Sequence, residues 1–348
     1  MSQRSTPQLL AAVLIAIGLF VGVSMPVQYV VLRPGPVFDV LGSTNGKPLI
    51  TITGAPTFKT AGQLDLLTVS EVGGPRSRAT LSDVLRGAMD PAQSVVPTSL
   101  LYPPNATADQ VEQQSTQEMS DSQDAAAVAA LRHLGLPVTI VVKVSDVTVD
   151  GPAAGKLKKG DVLRSVDGVP TASAEALHAA ISKHKPGDDI VIGYTRDGKD
   201  ATVTIKSVPA KDDPKRPMIG VSLSLGYTSP VKVSIQLDDV GGPSAGLMFT
   251  LGIIDKLTLV QENGGLHVAG TGTMNDAGQV GPIGGIRQKM AAAKADGATI
   301  FLIPADNCAE ALPAIPSGLQ LVKVTSVDTA LAGLAVAVSG RGSAPTCS

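Results

Sequence analysis

The chain has 348 residues, 43% of them hydrophobic, and a formal net charge of −2. That length supports two or three cores, which places it among globular proteins. Near-neutral charge, no dense Lys/Arg block, and aromatics at only 3% argue against a nucleic-acid partner. Leu9 to Val23 is an unbroken apolar run, with Arg4 the only charge ahead of it. A bilayer span needs about 20 apolar residues, a length that Leu9 to Val27 reaches by including Ser24 and Pro26. The expectation is a transmembrane anchor over residues 9–27, with residues 1–8 cytoplasmic and the bulk of the chain extracytoplasmic. A cleaved signal peptide is the alternative, since Gly22-Val23-Ser24 offers small residues to a peptidase and the product would be secreted.

Residues 28–125 read as a β-rich extracytoplasmic region closed by a connecting helix. Tyr29-Val30-Val31-Leu32, Leu49-Ile50-Thr51-Ile52 and Leu64 to Val69 are strand-like between Gly/Pro turns, and Leu81 to Met89 reads as a short helix. Gln110 to Leu134 is helical, first polar and then alanine-rich, and stops at Gly135-Leu136-Pro137. Asn105-Ala106-Thr107 fits a glycosylation sequon, a three-residue match that arises often by chance. No metal-ligand cluster stands out in this region. The histidines His133, His178, His184 and His267 are scattered, and His178 and His184 share no helix face, so no metal site is indicated.

Over residues 126–210 the pieces are a strand from Val138 to Val147, the turn Gly151-Pro152-Ala153-Ala154-Gly155, then Lys159-Gly160-Asp161-Val162-Leu163 and Val166-Asp167-Gly168. One helix, Ser173 to Ser182, and strands Asp189 to Tyr194 and Asp200 to Ile205 complete the set. This resembles a PDZ domain of the kind attached to bacterial exported proteases. The resemblance implies that a peptide adds as a strand to a sheet edge, its C-terminal carboxylate held by backbone amides. The carboxylate loop is expected near Gly135 to Thr139, where Pro137 lacks an N–H. A spacer domain that positions its neighbour is the alternative. Gly151 to Leu157 is not a phosphate loop, because only Pro152, Ala153 and Ala154 lie between Gly151 and Gly155-Lys156, and Leu157 follows where Ser or Thr is needed.

Residues 211–340 open with a charged linker, Lys211 to Pro217, and carry two glycine turns. Gly241-Gly242-Pro243-Ser244-Ala245-Gly246 delivers a serine to an apolar helix from Leu247 to Leu257, whose start offers unpaired amides and the positive end of the helix dipole. Gly281-Pro282-Ile283-Gly284-Gly285 opens a second helix, Arg287 to Asp296, with Lys289 in its first turn. No histidine lies in either stretch, so a nucleophilic serine would need another base, and a buried neutral lysine can serve. Val72-Gly73-Gly74-Pro75 repeats part of the first turn but is followed by Arg76.

Together the two turns resemble the proteolytic domain of the Lon family, over roughly Met218 to Val338. With the segments read above, the expected architecture is α+β: an N-terminal transmembrane helix, the β-rich region, the PDZ domain and, by the resemblance, a Lon-type α/β proteolytic domain. The resemblance also implies a Ser-Lys dyad, with Ser244 as nucleophile and Lys289 as general base, and Thr271 beside the lysine. Gly242 and Ala245 are candidates for the oxyanion site. Where many Lon enzymes carry an aspartate three residues before the serine, this chain has Gly241, and Asp238 and Asp239 are out of register. The activity implied is an ATP-independent serine endopeptidase that cuts exported or membrane-proximal proteins and prefers unfolded segments. It needs no cofactor, nucleotide or metal; its partners are protein or peptide substrates and the membrane, and the oligomeric state stays open because the ring of Lon protease domains need not hold without the ATPase ring. A catalytically inactive membrane-tethered PDZ adaptor and a self-processing protein remain open. Cys308 and Cys347 are candidates for a disulfide that pins the tail, residues 341–348, or stay as two free thiols.

Overall fold

In a computed structural model of the chain, residues 5–171, 173–260 and 263–347 are described; Arg4, on which the expected membrane orientation rests, lies outside them. The first helix, α1 (Ser5–Val23), does not support the expected anchor, since no helix among the described residues is long and apolar enough to cross a membrane. Its first turn is Ser5-Thr6-Pro7-Gln8, and the helix ends at Val23, so Ser24, Pro26 and Val27 add nothing to it. The apolar run that remains, Leu9 to Val23, rises roughly 22 Å at ~1.5 Å per residue, short of a ~30 Å hydrocarbon core.

The principal elements that follow are β1 (Tyr29–Asp39), β2 (Ile50–Thr53), β3 (Gln63–Val72), α2 (Leu81–Met89), β4 (Ser94–Pro97) and α3 (Ala108–His133). Next come β5 (Thr139–Val147), β6 (Val162–Val166), α4 (Ala174–Ile181), β7 (Asp189–Arg196), β8 (Lys199–Lys206), β9 (Val221–Thr228) and β10 (Lys232–Ile235). The chain closes with α5 (Gly246–Leu257), β11 (His267–Gly270), α6 (Ile286–Asp296), β12 (Ile300–Pro304), β13 (Gln320–Val324) and α7 (Val327–Ser339).

The main sheet has the order β13-β12-β11-β3-β1-β4. Its β13, β12, β11 and β3 run parallel, and β1 and β4 add antiparallel. Residues 28–125 are therefore not a region apart, because three of their strands complete the sheet begun by the C-terminal part. Both faces are covered, as a parallel sheet requires. Alternation along β12 shows it: Ile300 and Leu302 pack with α5 and α7, while Phe301 and Ile303 pack with α6. The β5–β9 unit is a second sheet, ordered β8-β7-β6-β5-β9, around Leu163, Leu177, Ile190, Ile192 and Ile205. It is inserted between the two halves of the main sheet, and its last strand, β9, comes from the residues expected to begin the proteolytic domain.

Helix α3 joins the two units. Thr107 and Gln110 form a capping box at its start, and its alanine-rich second half is buried against α5. Cys308 and Cys347 are bonded to each other, Cα atoms 5.3 Å apart, and fix the C-terminal tail beside α6.

A fragment beginning at Lys211 lacks β1, β3 and β4 and exposes Ala269 and Leu302. We expect it to show no cooperative thermal unfolding and to lack protected amides by hydrogen exchange, whereas a chain from residue 24 to the C-terminus unfolds in a cooperative manner.

Candidate active site

Strand β11 ends at Gly270, opposite Leu66, while β3 continues to Val72. Beyond Leu66 that side of β3 has no strand partner among the described residues, and the sheet has a gap. Helix α5 starts on one face of the gap and α6 on the other, and their first turns meet through it.

Ser244 stands two residues before α5, and Lys289 is the fourth residue of α6. Lys289 Nζ lies 2.6 Å from Ser244 Oγ and 3.1 Å from Thr271 Oγ1. Thr271 Oγ1 donates to the Ser244 carbonyl at 3.0 Å, and the Gly272 amide donates to the same oxygen at 3.0 Å. Thr271 thereby offers Nζ an acceptor, so the amine can donate there and turn its lone pair to the serine hydroxyl. The lysine is 2% exposed, and burial alone lowers its pKa from 10.5 to about 7. A group at that value holds a useful fraction of neutral amine near neutral pH.

The structure thus brings together Ser244, Lys289 and Thr271, which the sequence separates by up to 45 positions. Of the two oxyanion candidates it separates one from the other. The Gly242 amide donates to the Ser115 carbonyl of α3 at 3.0 Å and is spent there. The amides of Ser244 and Ala245 have no carbonyl partner among the described residues and sit at the positive end of α5. Entry into α6 needs the left-handed backbone of Gly285, φ +70°, where a Cβ would press on Val69 Cγ2 at 2.7 Å.

Sequence reasoning treated α3 as a connector and missed its part in the site. Besides the Ser115 contact, Ser122 Oγ donates to the Pro243 carbonyl at 3.0 Å, so two points of α3 hold the serine turn. Long-range contacts of this kind leave no periodicity or motif to read. The turn and the open edge of β3 face a cleft of about 1550 Å³, lined among others by Thr68, Ser70, Glu71, Tyr102, Ser244 and Lys289.

In the inserted sheet the expected carboxylate loop, Gly135 to Thr139, offers no edge. Strand β5 is paired with β6 on one side and along its whole length with β9 on the other. One free edge of that sheet belongs to β9, with α4 beside it. The residues leading into β9, Ile219 and Gly220, have amides without a carbonyl partner among the described residues, and Gly220 has φ +76°. Pro137 is remote from this edge in the pairing and does not bear on it.

Residues 112–207 match the PDZ domain family, and residues 238–337 match the Lon protease (S16) C-terminal proteolytic domain. Among curated proteins the chain is similar to a Lon protease of Azospirillum brasilense, 38% identical over 93 residues, covering 26% of this chain and 11% of that protein. It is also similar to a Lon protease of Campylobacter concisus, 31% identical over 140 residues, covering 40% of this chain and 17% of the other. A probable periplasmic serine endoprotease DegP-like of Halomonas elongata is 34% identical over 93 residues, covering 26% and 19%. Among solved structures, the PDZ domain of an SdrC-like protein from Listeria monocytogenes is 32% identical, covering 24% of this chain and 86% of that one, with a TM-score of 0.22. The matches span less than a fifth of each of these curated relatives. Strands β1, β3 and β4 fall outside both family matches although they complete the same sheet. The chain joins a PDZ domain to a Lon-type C-terminal proteolytic domain.

Proposed function

We propose that the chain is a serine endopeptidase working through a Ser244–Lys289 dyad, a reading carried by the 2.6 Å contact between Ser244 Oγ and a buried lysine amine. Neutral Lys289 takes the hydroxyl proton as Ser244 Oγ attacks the scissile carbonyl. The amides of Ser244 and Ala245 receive the developing oxyanion. The ammonium returns its proton to the departing amine, which leaves an ester on Ser244, and water then attacks that ester with Lys289 again as base. None of these steps consumes a nucleotide.

The substrate is an extended, unfolded segment of protein laid along the open edge of β3 from Leu67 to Glu71, where main-chain amides and carbonyls await a strand. The free edge of β9, with the unpaired amides of Ile219 and Gly220 at its start, supports a second peptide contact in the PDZ domain. The Cys308–Cys347 bond supports an oxidising, extracytoplasmic setting.

The first test is cleavage of an unfolded casein-like substrate without ATP. Ser244→Ala and Lys289→Ala should each lower kcat by roughly a thousandfold or more, and Lys289→Arg should be as inactive, because arginine does not lose its proton. Retained cleavage in Lys289→Arg would sink the mechanism. Equal inactivity of the wild type would favour a peptide-binding adaptor instead.

The wild-type rate should rise with pH through about 7 and level off above it, following the neutral amine. The same depressed pKa acts on stability with a defined sign. Between 10.5 and about 7 the unfolded chain binds a proton that the folded chain does not, so stability falls as pH drops through that window and the loss is complete below it. Lys289→Met should therefore be inactive yet more stable at pH 6, by up to ~4 kcal/mol. Equal or lower stability than the wild type across pH 6–10 in urea titrations would contradict the burial argument.

Gly241, where many Lon enzymes have aspartate, lies against α3, and a Cβ there would fall 2.9 Å from Ser115 Cβ and closer still to its hydroxyl. Gly241→Ala should displace the serine turn and lower kcat at least tenfold at a cost of ~1–3 kcal/mol. Adding Ser115→Gly should restore most of both, measured by peptide hydrolysis and thermal unfolding.

A further inference from the structure

Away from the dyad, three side chains from three elements converge: Asp65 of β3, His267 at the start of β11, and Asp296 at the end of α6. One ligand atom from each lies within 4.8 Å of the other two. His267 Nε2 is hydrogen-bonded to Asp65 Oδ2 and lies 3.5 Å from Asp296 Oδ2.

The cluster is short of positive charge. Asp65 is 1% exposed, and among the described residues no donor but His267 reaches its carboxylate. Other shielded carboxylates in this chain are better served. Asp39 accepts from the amides of Leu41 and Leu64, and Asp161 from the Lys158 amide and both arms of Arg196. Asp296 is placed no better, because it ends α6 at the negative pole of the helix dipole. Among the described residues no lysine or arginine pairs with either acid, and Lys294, two residues before Asp296, donates to the Gly318 carbonyl. Two carboxylates against one imidazole leave a negative site even when the imidazole is protonated.

We propose that Asp65, His267 and Asp296 bind one divalent cation of the zinc type, as a structural clamp at the far end of the helix that carries Lys289. The donor set of one imidazole nitrogen and two carboxylate oxygens suits such an ion. Ligand atoms around a tetrahedral ion with bonds of ~2.1 Å stand roughly 3.4 Å apart, close to the His267–Asp296 separation of 3.5 Å. The ion replaces the proton shared by Asp65 and His267, and one position is left for water. Its effect is mechanical. It ties β3, which walls the cleft, to β11, which leads into Thr271, and to α6. The ion stands two helical turns from Lys289 and takes no part in the chemistry.

The test is calorimetric titration of the full chain, stripped with EDTA, with zinc chloride. The expected result is one equivalent of Zn²⁺ bound and a thermal midpoint raised by several degrees at saturation. Asp296→Asn and His267→Gln should each weaken binding by more than the roughly 10–100-fold that loss of an outer-shell partner costs. Asp296 is about half exposed, so its variant should fold, with an unchanged circular dichroism spectrum as the check. His184, which sits between Asp167 and Asp188, provides the control, and His184→Gln should bind zinc as the wild type does. No stoichiometric uptake by the wild type overturns the proposal. So does uptake that survives both cluster variants, or uptake that disappears with His184→Gln.

Discussion

A lysine amine held out of water against a serine hydroxyl is the arrangement on which the rest of this structure depends. An ammonium in that position would have no carboxylate to answer it, since burial alone accounts for its lowered pKa. The environment has to keep Lys289 neutral and also supply enough apolar contact to bear the cost of burying it. Ile286, Met290 and Ala293 of the same helix are fully buried against Ala269, Phe301 and Ile303, and this packing holds the first turn of α6 in place. The site is thus sustained by a core that contains none of its reactive atoms.

The same requirement explains why the domain is built around a strand that stops early. A serine on one face of a sheet and a lysine on the other meet only where the sheet is open between them, and β11 ends at Gly270 to make that opening. A Cβ at Gly270 would press on Met248 Sδ at 2.7 Å and Leu302 Cβ at 2.9 Å, so a larger residue would push the two layers apart just before Thr271. With β11 ended, β3 runs on paired with β1 alone, and its bare edge and Ser244 open onto one cleft. The meeting of Ser244 with Lys289 and the open edge of β3 follow from one early strand end.

What could be read from the sequence was local, or local motifs taken in pairs. Turn chemistry marked Ser244 and Lys289, and the resemblance of the two glycine turns to those of the Lon proteolytic domain linked them; Cys308 and Cys347 were open between a pair and two free thiols. The limits of α4 and α6 came through close to Ser173 and Gly297, which cap them, whereas α3 starts at Ala108 behind the Thr107 cap, before the expected Gln110. Strand partners were not legible. Leu64 to Val69 reads as a strand, but nothing in its alternation says that its neighbour lies two hundred positions later at His267. Val221 to Thr228 is likewise strand-like with either domain, and only its register along β5 assigns it. The N-terminal run misled for a different reason: hydropathy shows how apolar a segment is, while the backbone decides where its helix stops, and this one stops at Val23.

The order of pairing also bears on how the two domains are joined. An inserted domain has two connections to its host, and here both lead to the same turn. On entry, α3 touches the serine turn at Ser115 and Ser122 and, further along, holds Lys143 of β5 through Asp124 at 3.2 Å. That lysine packs over the ring of Tyr227 in β9, its Nζ 5.5 Å from the centroid. On exit, β9 passes through Ser229 and Pro230 into β10, which is pinned to β2, and nine residues after its end the chain reaches Ser244. Neither connection is a long unstructured linker. The free edge of the PDZ sheet therefore lies on the strand most directly continuous with Ser244, a relation that a domain strung on by a single flexible tether would not have.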